Sequence, residues 1–245
     1  MVEQRKWGQT PSFGPRQFLR HKLLAKELAR AIKRGTVLDA GCGEGRMAEL
    51  LSQKGFQVFG FDESSLSVCK AAERVPEASF WKGSLLKTAL PDGNFDAVIS
   101  GDVLEHLEHH DKAVQEMFRV LKPGGLAIVS VPADPEKWSI DDEWSGHLRR
   151  YTRNQLTGLF KAAGFAELNC RHWGWPIVWI YYRLIYVPLL KRGIRNPEKT
   201  AATRGFNESK TLNAIFSILC LPDMLCTKTP WGIGLVASFQ KPAGK

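Results

Sequence analysis

Two carboxylates and a run of alternating glycines carry the first chemistry that can be read from this chain. Asp39 precedes the turn Gly41-Cys42-Gly43-Glu44-Gly45, and Asp62 closes the apolar run that follows it. Glycines let a backbone pass close to a ligand, and a helix that starts just after them aims its free N–H groups at the same place. An acid about 20 residues beyond such a turn is placed to hold the two hydroxyls of a ribose. Together these residues point to a cofactor that contains a nucleoside. The stretch from Val37 to Asp62 must position them, and it reads as an apolar strand, the turn, a helix and a second apolar strand. The dinucleotide fingerprint requires a third glycine three residues after its second, and that position is Arg46. Asp39 argues the same way, because a carboxylate repels a pyrophosphate but attracts an amino-acid ammonium.

The segment VLDAGCGEG resembles motif I of the class I S-adenosylmethionine-dependent methyltransferases. The resemblance implies that Asp39, Gly41, Cys42 and Gly43 lie beside the methionine part of S-adenosyl-L-methionine, and that Asp62, with Glu63 next to it, binds the ribose. It continues downstream. Phe95 to Ser100 reads as a buried strand opened by the turn Pro91-Asp92-Gly93-Asn94. A helix is expected from Val103, carrying Leu104, Leu107, Val114, Met117 and Phe118 at helical spacing and stopped by Lys122-Pro123-Gly124-Gly125. Leu126 to Val131 is the next strand. The series FDAV, VLEHL and LKPGGLAIVSVP is similar to strands four and five of the family's small-molecule branch. Gly101, at the end of strand four, joins the expected cofactor set. Where family members often carry an acid near the adenine, this chain has Ser84 and Leu85, a hydroxyl acceptor and an apolar packing surface.

The formal charge of +9 is concentrated in one place. Residues 144–210 hold 12 Lys or Arg against 3 Asp or Glu, and the remainder balances at 22 against 22. This segment opens with Gly146-His147-Leu148-Arg149-Arg150-Tyr151-Thr152, in which Thr152 is a plausible N-cap for a helix reaching Ala163. The pattern resembles ubiquinone-biosynthesis-type and cell-envelope methyltransferases. It follows strand five, so it lies at the carboxyl ends of the strands, where open α/β sheets bind ligands. His147 and His106 are the candidate bases for an oxygen or nitrogen acceptor. Arg149, Arg150 and Tyr151 are the candidate contacts to an anionic or aromatic acceptor. No spaced cysteines mark a metal site along the chain, and none is expected, although Glu105, His106 and His147 could in principle converge on an ion. Arg16 or Arg20, on a basic helix over 17–33, could reach the cofactor's carboxylate.

Residues 173–190 are the least ordinary stretch, with six Trp or Tyr among aliphatic residues and Lys191-Arg192 just beyond. A spanning helix needs about 20 apolar residues, and this run is interrupted by Pro176, Arg183 and Pro188. An in-plane membrane contact over 173–195, a substrate lid or a dimer contact all fit it. About 60 residues separate the expected strands six (165–172) and seven (233–240), far more than an ordinary connection.

These readings give an α/β, Rossmann-like fold. Its seven-stranded sheet is mostly parallel with the last strand antiparallel, helices cover both faces, and an apolar and basic helical insertion lies between strands six and seven. The expected organisation is a cap helix over 1–35, a cofactor-binding core over 36–172, the insertion over 173–232 and a final strand and tail over 233–245. The expected activity is methyl transfer from S-adenosyl-L-methionine to a small or lipid-like acceptor, such as a quinone precursor or a lipid-linked sugar. A nucleic-acid partner is not favoured, since no Asn/Asp-Pro-Pro-aromatic motif follows strand four. An RNA methyltransferase using the basic segment 144–210, or a non-catalytic protein that binds the same cofactor, stays an alternative. Five unpaired cysteines and a polar N-terminus fit a cytoplasmic protein, one that works at the inner face of a membrane if the insertion touches lipid. The sequence leaves the oligomeric state open.

Overall fold

The computed structural model describes residues 14–195, 214–215, 218–227 and 229–244. Near-continuous apolar runs, which suit strands covered on both faces, build its centre. These are β1 (Thr36–Ala40), β2 (Gln57–Asp62), β3 (Ser79–Lys82), β4 (Phe95–Gly101), β5 (Leu121–Pro132), β6 (Ala166–Trp173) and β7 (Gly234–Gln240). They form one sheet in the order β3-β2-β1-β4-β5-β7-β6. The pairs β1–β2, β1–β4, β2–β3 and β4–β5 are parallel. Strand β7 runs antiparallel to both β5 and β6. The chain order reverses between β1 and β4, and a crevice opens there beyond the carboxyl ends of the strands.

Helices cover both faces. On one face α1 (Pro15–Ala31) and α2 (Arg46–Ser52) bury Leu19, Leu23, Leu24, Leu28, Met47 and Leu51 against Val37, Ile99, Ile128 and Val236. On the other face lie α4 (His110–Val120) and α6 (Arg153–Ala162), while α3 (Ser65–Arg74) flanks β2 and β3. The α4 and α6 layer is built on aromatic rings. Phe160 stacks on Phe239 with centroids 4.0 Å apart, and Phe165 meets Phe118 edge to face. Helix α6 starts where the sequence indicates, because Thr152 and Gln155 form a reciprocal capping box.

Two elements differ from the expected ones. A single helix from Val103 does not form. A short 3₁₀ turn spans Leu104–His106, and α4 begins at His110. The reason is a competition for carbonyls. The Leu104 carbonyl accepts from the Tyr151 hydroxyl and the Glu105 carbonyl from the Leu148 amide, so the loop after β5 takes the acceptors a helix would use. Strand β5 also starts earlier than expected, at Leu121. The Lys122-to-Gly125 turn becomes an irregularity in its pairing with β4 rather than a break before it.

The insertion runs on from β6 as α7 (Ile177–Tyr181), a wide π turn over Tyr182–Tyr186 and α8 (Val187–Arg195). Asp223, fully buried, caps it: the Ile177 and Val178 amides donate to its two carboxylate oxygens at 3.0 and 2.8 Å. Helix α5 (Ile140–Ser145), between β5 and β6, packs against α8. Among the described residues no helix is long and apolar enough to cross a membrane.

Phe160 shows how far the ring layer supports the sheet. Phe160→Ala is expected to lower stability by about 3–5 kcal/mol. Chemical denaturation followed by circular dichroism checks it.

Candidate active site

A cavity of about 290 Å³ fills the crevice at the ends of β1 and β4, under α1. The Asp39–Gly43 turn, Asp62 and Glu63 line one side, with Leu85 nearby, and His106, His147 and Arg150 line the other. Gly101 also lines it. The turn is shaped by two amides, Gly41 and Cys42, that both donate to the Phe61 carbonyl at 2.9 Å. Gly41 and Gly45 have φ near +79° and +77°. A Cβ on Gly41 would lie 2.4 Å from Val103 Cγ2, and one on Gly45 would lie 2.8 Å from the Ala71 backbone. The glycines therefore allow the left-handed turn and let it approach its neighbours.

Asp62 is fixed at the edge of the cavity. Its Oδ2 accepts from the Gly43 amide at 3.0 Å and its Oδ1 from the Ser64 amide at 2.9 Å. Asp39 is buried, and its Oδ2 has no hydrogen-bond partner among the described residues. Burial, and then the nearby Asp62 carboxylate, push Asp39 up to about pKa 7. An orphaned carboxylate oxygen in the cavity wall suits the ammonium group of an amino-acid-bearing cofactor. Cys42 is buried beside it, and burial together with Asp39 raises its thiol well above the ordinary range. It contributes a neutral side chain and no thiolate. Ser84 does not line the cavity, and its hydroxyl accepts from the Leu86 amide. Leu85 occupies the adjoining wall.

Two arginines of α1 enter the cavity wall already paired. Arg20 bonds Asp102, and a Cβ on Gly101 would lie 3.5 Å from its Nε. Arg16 bonds Asp141 at 2.7 Å, with its guanidinium 4.2 Å from the Tyr186 ring centroid and 4.9 Å from that of Tyr182. Helix α1 and the insertion thus meet across this pair.

The opposite wall is organised by Asp142, which the sequence reading did not single out. Ser139 and Asp142 form the capping box of α5. Asp142 then accepts from His147 Nδ1 at 2.8 Å, Arg150 Nε at 2.8 Å and Arg150 Nη2 at 2.7 Å. Burial would raise this carboxyl, but the bonds from His147 and Arg150 hold it at about 2. With Nδ1–H donating to Asp142, the Nε2 of a neutral His147 carries its lone pair. The His106 and His147 rings sit edge to face, 4.8 Å between centroids, and His106 Nδ1 lies 3.3 Å from the Gly146 carbonyl.

All three candidate acceptor contacts are placed otherwise than expected, and Arg149 lies outside the cavity lining. Tyr151 is buried in the core, lies outside the cavity lining, and bonds the Leu104 carbonyl and His110 Nδ1. It holds the 3₁₀ turn in place, and it ties His110 to the loop after β5. Arg150 lines the cavity but its guanidinium is committed to Asp142 and the Ala133 carbonyl. Its chain neighbour Arg149 reaches the Glu108 carbonyl at 3.4 Å. Neither the Tyr151 nor the Arg150 arrangement could be read from spacing along the chain, because each is a contact made across the fold.

The fold also converges three ligand-type side chains. Atoms of Glu105, His106 and His147 lie within 4.8 Å of one another. Glu105 is fully buried, and burial, followed by Asp102, raises its carboxyl well above the usual range.

The state of Asp39 links stability to cofactor binding. Its carboxyl binds a proton more tightly in the folded chain than at its ordinary 3.8, so it favours the fold below that pH and loses this contribution as pH rises through about 7. Asp39→Asn is expected to gain stability over the wild type between pH 6 and 8 in thermal melts. The same change and Asp62→Ala should weaken S-adenosylhomocysteine binding roughly 10- to 100-fold by calorimetry. Wild-type affinity should fall as pH drops below about 7.

Comparison with known proteins agrees with this fold. A family model described as a methyltransferase domain matches residues 15–169. A protein of Mycolicibacterium smegmatis named as a probable S-adenosylmethionine-dependent methyltransferase is 34% identical over 175 residues, covering 64% of this chain and 67% of its own length. The 2-methyl-6-phytyl-1,4-hydroquinone methyltransferase of Synechocystis is 29% identical over 82% of this chain and 65% of its own. The chain thus spans about two thirds of these relatives. The crystal structure of the [4+2]-cyclase SpnF shares the fold, with a TM-score of 0.64 at 22% identity, covering 99% of this chain and 88% of that one. By motif, sheet order and family match, the chain belongs to the class I S-adenosylmethionine-dependent methyltransferases.

Proposed function

We propose that the chain moves the methyl group of S-adenosylmethionine to an oxygen or nitrogen of a small amphipathic acceptor, with His147 as the base. The cofactor, when bound, supplies an electrophilic methyl group on a sulfonium. The chain's own work is to bind, orient and exclude water. Asp39 faces the cofactor's ammonium, Gly41, Cys42 and Gly43 give backbone contact, and Asp62 holds the ribose with Glu63 beside it. Leu85 and Gly101 supply the apolar and close-approach walls. Arg20 is the candidate for the cofactor's carboxylate.

The observation that carries the reading is the Asp142–His147 hydrogen bond of 2.8 Å at the cavity wall. A carboxylate on Nδ1 fixes the tautomer and leaves Nε2 to take the acceptor's proton. His106, packed on His147, is the second candidate.

An amphipathic acceptor is supported by the insertion. Ile180, Leu184 and Ile185 are exposed on the helix whose Tyr182 lines the cavity. Such an apolar face suits the surface of a membrane. The hydroquinone acceptor in the Synechocystis relative's name is a molecule of this kind.

The convergence of Glu105, His106 and His147 favours a second reading, in which a divalent cation orients the acceptor. The two are separable. With a base alone, His147→Ala should lower turnover of a hydroquinone acceptor about 10²- to 10⁴-fold while S-adenosylhomocysteine affinity stays within a factor of ~3. Dialysis against a chelator should then leave the rate unchanged. Loss of rate on chelation, restored by magnesium or zinc, would establish the metal reading.

A further inference from the structure

A second cavity, of about 560 Å³, adjoins the first. The two share Arg150, Tyr182 and Ile233 in their linings. Its walls come from the 3₁₀ turn over Pro135–Lys137 with the start of α5, and from the face of the insertion helix that carries Trp179, Arg183, Val187 and Lys191. Ile180, Leu184 and Ile185 are on another face, so this lining is distinct from the exposed apolar side described above.

The charge of the lining is one-sided. Lys137, Arg150, Arg183, Lys191 and Arg192 all line the cavity, and among the described residues no Asp or Glu does. Two of these cations are already neutralised. Lys137 bonds Asp134 at 2.6 Å, and Arg150 bonds Asp142. Arg183, Lys191 and Arg192 have no ion-pair partner among the described residues, and Arg183 has only the Trp179 ring, 5.7 Å from its guanidinium carbon. Surface cations alone are ordinary. Here they sit about two helical turns apart on one face, over a concave wall made of Trp138, Trp179, Tyr182 and Pro188. A cleft with low-dielectric walls and one sign of charge concentrates the potential for an anion. The aromatic and aliphatic wall beside the charge suits a hydrocarbon or a ring attached to that anion.

We infer that this cavity binds a phosphate or diphosphate ester group carried by the acceptor, so that the acceptor spans both cavities with its nucleophilic atom beside His147. The inference rests on the methyl-transfer reading only for what happens in the first cavity. Three separate cations match the spread of charge over a diphosphate better than a single carboxylate. The residues shared by the two linings include Arg150, held by Asp142, and Tyr182, whose hydroxyl lies 2.8 Å from Ser139 Oγ and 3.4 Å from Arg150 Nη2. Those polar groups are placed to meet the part of the acceptor between its anion and its reacting atom.

Trp138 and Trp179 in the wall give a direct readout by fluorescence. Inorganic pyrophosphate and geranyl diphosphate are titrated into the wild type and into an R183Q/K191Q variant. Vesicles of phosphatidylcholine with and without phosphatidylglycerol form a third arm. Saturable quenching by both soluble diphosphates is expected, tighter for geranyl diphosphate, with affinity lowered about tenfold or more in the variant. S-adenosylhomocysteine affinity, measured in parallel, should match in the two proteins and so report that the variant is folded. Equal diphosphate affinity in the two proteins, or no saturable binding to the wild type, overturns the inference. So does a response to phosphatidylglycerol vesicles alone, which would make these cations a lipid-headgroup contact. Diphosphate binding is read without turnover, so an inactive but diphosphate-binding protein would count against methyl transfer and leave the cavity's assignment standing.

Discussion

The acceptor side of this molecule hangs on one carboxylate. Asp142 has no exposed surface, yet it accepts from the Ser139 backbone, the His147 ring and both ends of the Arg150 guanidinium. Each donor belongs to something different. Ser139 starts α5, His147 stands in the first cavity, and Arg150 reaches back to the Ala133 carbonyl just beyond β5 and across to Tyr182 in the insertion. A buried charge must be fully hydrogen-bonded to be tolerated, and here that demand fixes a helix start, a histidine tautomer and the position of the insertion together.

The cofactor side rests on an opposite arrangement. Asp39 is buried with one oxygen unsatisfied, next to a second carboxylate. Such a group costs the fold stability until a cation meets it, a pattern common where binding is the purpose of a site. One wall is therefore internally complete and the other is completed by its ligand. Under the proposed function that division suits turnover, since the cofactor would enter and its product leave while His147 keeps its orientation.

Much of the fold was legible because its signals are local. The glycine turn, the strand runs and the Thr152 cap each lie within a few residues, and the sheet order follows from them. That Asp39, Gly41, Gly43 and Asp62 would share one wall of the cavity was legible for the same reason, since they belong to one strand–turn–helix–strand unit. The acceptor wall was not. Tyr151 could be recognised as part of a suggestive loop, but its bond to Leu104 spans 47 positions. That bond is also what prevents the helix expected from Val103. Asp142 left one local sign, the Ser139-to-Asp142 spacing of a capping box, which indicates a helix start and says nothing of His147. The second cavity lies between segments distant in the chain, around Lys137–Ile140 and Trp179–Arg192, and only its excess of positive charge was visible in the sequence.

The position of β7 has a consequence for how the molecule is made. This strand lies inside the sheet, between β5 and β6, and its first residue Gly234 joins Ile233 in the cavity wall. A chain synthesised from its N-terminus has completed β5 about 100 residues before β7 exists. Until then β6 has no strand to pair with, and β5 presents an open edge. The sheet closes, and the cavity gains its last wall, only in a late step that joins segments far apart in the chain, the kind of long-range pairing that folds slowly. A ribosome-bound precursor would hold the complete glycine turn and both cofactor carboxylates and still lack a finished site. The final strand is thus a timing element, delaying the assembled cavity until the insertion before it has been made.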